Sequence, residues 1–403
     1  MTLRAVVTEV DPKTLPSWAD MVAGADLAWT RDGEGFAAVG EALRITGLAL
    51  AGSLPADVGR GLAAIEVDAP LDVAGTGPVA LGALPFDPHA PASVVVPAFI
   101  VRRQRQGRIF TTRVGESVLG WPDRDLRPRP GPDRFVLTSP LPHVAFLDLI
   151  ERATKEISGG NLRKVVLARS ITVEADVDLH LPDIVRRLLT LHPSCAIFNI
   201  DGFVGASPEL LVARSGAAVS SHPLAGTVGR SGDAAVDSAL ATALMDSAKD
   251  REEHRHVVEA ITTVLGAFCT ELDVPSEPSI LNLRNVTHLA TRISGTLAGH
   301  LSVLQLAAAL HPTPAVGGTP SDAALAFIDE HEGFDRGRYA GAVGWMDANG
   351  DGEWAVGIRC ADVEANRARL VSGVGVVQGS SPEAELAETQ LKLQALLAAV
   401  VRP

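Results

Sequence analysis

Lys164 stands in the run Arg163-Lys164-Val165-Val166-Leu167-Ala168-Arg169, shortly after Gly159-Gly160. Side chains alternate along a strand, so Lys164 shares a face with Val166 and Ala168, while Val165 and Leu167 point the other way. Apolar residues on both faces mark a strand covered on both sides. Burial disfavours the charged form of a lysine, and a desolvated lysine can act as a base near neutral pH. The plainer alternative is a strand-end lysine that snorkels to water. Taken alone, the residue favours that alternative, since many perturbed lysines are merely structural.

Other charged residues are placed where they could join it. Glu209 lies in Gly205-Ala206-Ser207-Pro208-Glu209-Leu210-Leu211, a turn entering a strand. A carboxyl and a lysine that met would supply an acid and a base, but spacing alone does not show that they meet. In 353–361, read as one strand, Trp354, Val356, Ile358 and Cys360 form an apolar face. Ala355, Gly357, Arg359 and Ala361 form a face of small residues with one arginine. The next strand puts Val371, Gly373 and Gly375 on one face. Small residues let a ligand approach the backbone, and an arginine above them is a fork for a carboxylate. A glycine-rich bulge with a structural arginine fits equally well.

Glu385, Glu388 and Lys392 share one face of a C-terminal helix, and Lys249 and Glu253 are also four apart. Such runs are usually solvated stripes. Glu253 and Glu388, on separate helices, could instead clamp a hard divalent cation such as Mg2+, completed by water and substrate oxygens. Zinc is disfavoured, because His254 and His256 are two apart and His288 is isolated.

The elements that must position these groups follow from pattern. The chain has 403 residues with 46% apolar and 21% charged, enough for one large or two ordinary globular domains. A net charge of −13 without a basic run argues against nucleic acid and requires local cations for any anionic substrate. Cys195, Cys269 and Cys360 form no Cys-x-x-Cys pair, which fits a reducing compartment. The N-terminus has no signal-peptide core and no apolar run spans a bilayer, so a cytoplasmic protein is expected.

Residues 1–140 read as a β-rich, loop-rich half, closed by a proline cluster that includes Pro122, Pro128, Pro130, Pro132, Pro140 and Pro142. Beyond it, 143–157 has helical spacing, 164–173 is a strand and 181–191 a helix. Strands are expected over 197–204, 210–214, 341–346, 353–361 and 369–377. A helical stretch covers 233–271, broken at most once. A last helix covers 382–400, with Ser381 as N-cap and Pro382 at its first position. This mixture predicts an α+β fold. Two motifs mislead. Asp347-Ala348-Asn349-Gly350-Asp351-Gly352 starts like an EF-hand loop but has Ile358 where the bidentate Glu belongs, so a hairpin turn is expected. Gly373-Val374-Gly375-Val376-Val377-Gln378-Gly379 lacks the spacing and the βαβ setting of a dinucleotide site.

Together the segments resemble the chorismate-utilising enzymes, and isochorismate synthases most of all. The matching stretches run in family order: Lys164–Arg169, Gly205–Leu211, Pro223–Thr227, Ser247–Asp250 with Glu253-His254, His288-Leu289, His311–Gly318, Tyr339–Trp345, Glu353–Cys360, and Gly373–Val377 on to Glu388 and Lys392. They cover 143 to about 395. The earlier half matches more weakly, through Pro85-Phe86-Asp87-Pro88.

The resemblance implies a large two-layered sandwich of the anthranilate synthase component I type, with antiparallel sheets and flanking helices. It divides the chain into an N-terminal β-rich half, 1–140, and a chorismate-binding catalytic domain, 143–398. It implies conversion of chorismate to isochorismate for menaquinone or siderophore biosynthesis, with Lys164 activating a water for C2 and Glu209 protonating the departing C4 hydroxyl. Glu253 and Glu388 would bind Mg2+, and Glu385 would support a metal-bound water. Arg359 and Lys392 match carboxylate-binding positions. Gly226, Thr227, Ala315 and Gly373 match substrate-contacting positions, and His288 and Tyr339 pocket-lining ones. A lysine at position 164 points to water, whereas ammonia-using relatives of the anthranilate type typically carry glutamine there. The expected partner is chorismate alone, with no glutaminase subunit, nucleic acid or membrane, acting on a monomer. Salicylate synthase, which also eliminates pyruvate, is the sibling alternative. Phe334-Asp335-Arg336 and Gly344-Trp345-Met346-Asp347 look more like isochorismate synthases.

Overall fold

The computed structural model describes residues 3–68, 71, 73–118 and 120–401. Two sheets face each other: one of thirteen strands and one of nine, with a three-stranded sheet beside them. Among the described residues the pairings are antiparallel, except that Arg4–Val10 runs parallel to Glu66–Asp68. The main core lies between the two sheets and joins Phe198 and Phe203 of the larger to Trp345 and Trp354 of the smaller. Phe36 meets Trp345 across this layer, ring centroids 4.7 Å apart. A second core lies under helices Trp18–Gly24, Leu181–Leu191 and Pro382–Val400 on the outer face of the large sheet. The expected α+β sandwich is the architecture observed.

The N-terminal residues do not form a separate sheet. Leu27–Arg31 pairs with Ala196–Ile200, and Val79–Ala83 pairs with Ala342–Asp347. Both large sheets therefore draw strands from each side of the proline-rich stretch, of which residues 121–134 have no regular structure.

Several elements form as expected, including helices Leu181–Leu191 and Pro382–Val400. The long helical stretch breaks once, between Ala234–Asp246 and Ala248–Gly266. Ser247 sits at the break with extended backbone, and its hydroxyl accepts from the Asp250 N–H. Ser381 occupies its cap position, but its hydroxyl bonds the Glu383 carboxylate instead of a backbone N–H. Asp347 closes the expected hairpin turn by accepting from the N–H groups of Asn349 and Asp351.

Two strand expectations need correction. The segment 197–204 is a hairpin, Ala196–Ile200 and Phe203–Ser207, turned at Asp201 and Gly202, both with positive φ. The segment 353–361 is two strands in different sheets. Gly352–Val356 belongs to the smaller sheet and Cys360–Glu364 to the larger. Its neighbour makes the same crossing, from Phe203–Ser207 in the larger sheet to Leu210–Ser215 in the smaller. The crossings are bonded together: Ala206 N–H to the Arg359 carbonyl at 3.0 Å, Val356 N–H to the Glu209 carbonyl at 3.1 Å, and Ser207 Oγ to the Val356 carbonyl at 2.6 Å. Glu209 and Arg359 thus sit where two adjacent strands leave one sheet for the other.

Candidate active site

Residues from both crossings meet the glycine strand and two helices around a tight cleft of about 60 Å³. Glu209, Gly226, Thr227, Glu253, His288, Ala315, Tyr339, Arg359, Gly373, Glu388 and Lys392 all line it. Sequence reasoning placed each of these in one site. It left out Val166, Leu224, Ala225, Val316, Ile358 and Gly375 as lining residues. Gly375 carried a signal by sharing the parity of Gly373, and Val166 by sharing that of Lys164. Larger hollows lie elsewhere, including one of about 620 Å³ beside Arg251 and Arg255, but they lack this grouping of acids and bases.

Lys164 opens strand Lys164–Ala175 and is 1% exposed, so it does not snorkel to water. Its Nζ lies 3.0 Å from Glu253 Oε1. Burial pushes the Glu253 carboxyl upward, but Lys164, Lys392 and Lys249 together outweigh it and the net shift is downward. Lys392 pairs with Glu388 at 2.6 Å and also donates to the Gly373 carbonyl at 3.0 Å. Glu385 does not line the cleft. It is buried and pairs with Lys249 at 2.6 Å. The two helical charge clusters are therefore not solvated stripes: each of the three carboxylates is matched to a lysine.

Glu209 lies apart from these pairs and among the described residues has no ion-pair partner. Burial pushes its carboxyl up to about 7, against the opposing pull of Lys164. It is thus the one carboxyl here poised to give up a proton near neutral pH.

Arg359 is aimed by its backbone. It sits at φ 52, in the left-handed region, where a non-glycine residue is strained. Its Nη2 donates to His288 Nε2 at 3.3 Å. Burial, and then the Arg359 charge, hold His288 well below its ordinary value, so the ring is neutral. Accepting at Nε2 puts the ring proton on Nδ1, which faces the Thr227 hydroxyl at 3.0 Å and the Gly226 carbonyl at 3.3 Å. The Thr227 hydroxyl then accepts from the ring and keeps its own hydrogen for a ligand. Gly226, at φ 75, is the bulge between Leu224–Gly229 and Val286–Ala290 that makes this approach possible.

The glycines of Arg367–Val377 open the floor. A Cβ at Gly373 would lie 2.8 Å from the Tyr339 hydroxyl. A Cβ at Gly375 would collide with the Glu253 carboxylate. Burial raises the Tyr339 phenol, which stays protonated as a donor.

Glu253 and Glu388 offer oxygen ligands only, the set preferred by Mg2+ over softer metals. Among the described residues no three His, Cys, Asp or Glu side chains are grouped around one ion position. A cation here would rely on two carboxylates and be completed by substrate and water, as is usual for Mg2+. The donor set fits that ion.

Similarity to known proteins places the chain in a family. The family described as chorismate binding enzyme matches residues 125–401. The putative isochorismate synthase MenF of Mycobacterium tuberculosis is 40% identical over 342 residues, covering 81% of this chain and 87% of that one. The crystal structure of a putative 2,3-dihydroxybenzoate-specific isochorismate synthase, DhbC, from Bacillus anthracis superposes with a TM-score of 0.80 at 35% identity, covering 94% of this chain and 97% of the other. The menaquinone-specific isochorismate synthase MenF of Escherichia coli gives 0.82 at 28% identity, covering 99% and 94%. Among the described residues no helix is long and apolar enough to cross a membrane.

Proposed function

This chain belongs to the chorismate-binding enzymes, and on that premise we propose that it is an isochorismate synthase, converting chorismate to isochorismate. The observation that carries the reading is a buried, protonatable glutamate on one cleft with Arg359 and Lys392, and a buried lysine paired with Glu253 of that cleft.

In the proposed reaction Lys164 acts in its unprotonated form, which requires release from its ion pair with Glu253, and its Nζ takes a proton from water as the water oxygen bonds to C2. The ring double bonds shift, and the C4–O bond breaks with its electron pair on oxygen. Glu209 gives that oxygen a proton, so water enters and water leaves. Arg359 and Lys392 hold the substrate's carboxylates. Neutral His288 fixes the Thr227 hydroxyl as a donor. Glu253 and Glu388 would hold Mg2+, which, when bound, neutralises substrate carboxylate charge. The metal also answers the global electrostatics, since a chain of net charge −13 must bind a dianion. Menaquinone or siderophore construction is the proposed fate of the product, and the names of its relatives carry menaquinone and 2,3-dihydroxybenzoate.

The test is product analysis. Purified protein with chorismate and Mg2+, without ammonia or a second protein, is expected to give isochorismate. Salicylate with pyruvate as the main products would move the assignment to the salicylate-forming sibling, and no turnover would refute it.

A further inference from the structure

Along strand Lys164–Ala175, alternate residues present their backbone groups to the same edge. On the edge shared by Lys164, Val166 and Ala168, Gly318–Thr319 pairs with the first two residues of the strand, and Phe135–Thr138 pairs from Thr172 onward. Between these segments no strand pairs with that edge among the described residues. Beside Val166 and Ala168 two side chains take its place, and beyond them the Ser139 hydroxyl donates to the Ser170 carbonyl at 3.0 Å. Arg336 Nη2 donates to the Val166 carbonyl at 2.7 Å, and Glu332 Oε1 accepts from the Ala168 N–H at 2.7 Å. The two are bonded to each other at 2.6 and 2.7 Å, and their side chains are 2% and 1% exposed. Arg336 Nη1 extends to the Val316 carbonyl at 2.8 Å. Phe86 packs beneath the guanidinium, 4.3 Å from ring centroid to carbon.

Val166 and Val316 both line the cleft, from the lysine strand and from the loop before Gly317-Gly318, and the two segments adjoin, since the Val166 N–H donates to the Gly317 carbonyl at 2.8 Å. One guanidinium therefore ties two adjoining pieces of the lining. A buried ion pair is a poor source of net stability, because desolvation offsets most of its attraction. Its planar, five-donor fork is well suited to fixing several acceptors at once.

We propose that Arg336, held by Glu332, is a positioning residue for the reaction. It fixes the Val166 segment beside Lys164 and the adjoining Ala315–Val316 segment, and so sets where this part of the lining meets the substrate. This rests on the reading of the cleft as the chorismate site.

The full-length variants Glu332→Gln, Arg336→Lys and Arg336→Met test it by steady-state kinetics, thermal melting and amide hydrogen exchange at Ala168. Glu332→Gln keeps an oxygen for the Ala168 N–H but loses the charged bonds to Arg336. A misplacement on the order of 1 Å costs about 100-fold, so a fall in kcat/KM of roughly 10- to 100-fold is expected in folded Glu332→Gln. The KM for chorismate should rise, Ala168 should exchange faster, and Arg336→Lys should recover part of the activity lost in Arg336→Met. Folded variants with lowered melting temperature but wild-type kcat and KM would overturn the proposal. So would failure of both Glu332→Gln and Arg336→Lys to fold, which would make the pair purely structural. Wild-type turnover is measured alongside. An inactive wild type would refute the functional reading and leave the brace itself to be judged by Ala168 exchange.

Discussion

Glu209 lines the cleft and Lys164 lies behind it against Glu253, and the two are held differently. Lys164 is locked to Glu253 by an ion pair, whereas Glu209 relies on burial for its proton. With its carboxyl raised from 4.5 to about 7, the protonated, proton-donating form is lost as pH rises through 7. A basic limb in kcat/KM near that pH is therefore expected, and Glu209→Gln should abolish the limb along with roughly 100- to 10,000-fold of the rate. The stability linkage has the same sign. A raised folded-state value means Glu209 favours the folded state fully below pH 4.5, and that contribution fades as pH rises to about 7. Lys164→Ala should cost a similar 100- to 10,000-fold in kcat while circular dichroism remains native. Retained turnover would remove Lys164 from the base role. Among single residues, chemistry was legible by type: Lys164, Glu209, Glu253, Glu388 and Arg359 all reach one region. Of their pairings, Glu388 with Lys392 was legible from its spacing of four, whereas the others join helices and strands distant in sequence. Lys249 with Glu385 is the clearest case.

At the scale of elements, the floor of the cleft depends on glycines in Arg367–Val377. Gly375→Ala would push a methyl group into the Glu253 carboxylate and to 3.0 Å from Lys164 Cε. A loss of about 10- to 100-fold in kcat/KM is expected in a folded protein, with a weakened Mg2+ titration because Glu253 is displaced. An unchanged metal dependence would contradict the placement of Glu253. Parity along this strand was readable and selected the correct glycine face. Parity failed at 353–361 because alternation cannot show a chain leaving one sheet for another. The crossing is set by tertiary bonds from Ala206, Ser207 and Glu209, and by the left-handed backbone at Arg359. The hairpin at Asp201-Gly202 was legible but not read: Asp-Gly between two apolar runs is a strong two-residue turn signal.

At the scale of the whole molecule, the later part of the chain was legible because its motifs come in family order. The role of residues 1–140 was not, since strand pairing between Leu27–Arg31 and Ala196–Ile200 leaves no periodic trace. The proposed division into a β-rich half and a catalytic part, 143–398, is thus a division within shared sheets. The overall negative charge makes cations in the cleft essential for an anionic substrate. Chelation by EDTA should abolish turnover, and added Mg2+ should restore it. Glu253→Ala and Glu388→Ala should move the Mg2+ midpoint upward, and a titration unchanged in both would refute the proposed ligands.

The central claim is that this cleft adds water at C2 while the C4 hydroxyl departs. Turnover of chorismate in 18O-labelled water, followed by mass spectrometry of the product, tests it most directly. The account predicts isochorismate carrying one solvent oxygen at C2 from the first turnovers. Isochorismate formed without solvent label would contradict it, because the hydroxyl would then have migrated without a water activated by Lys164.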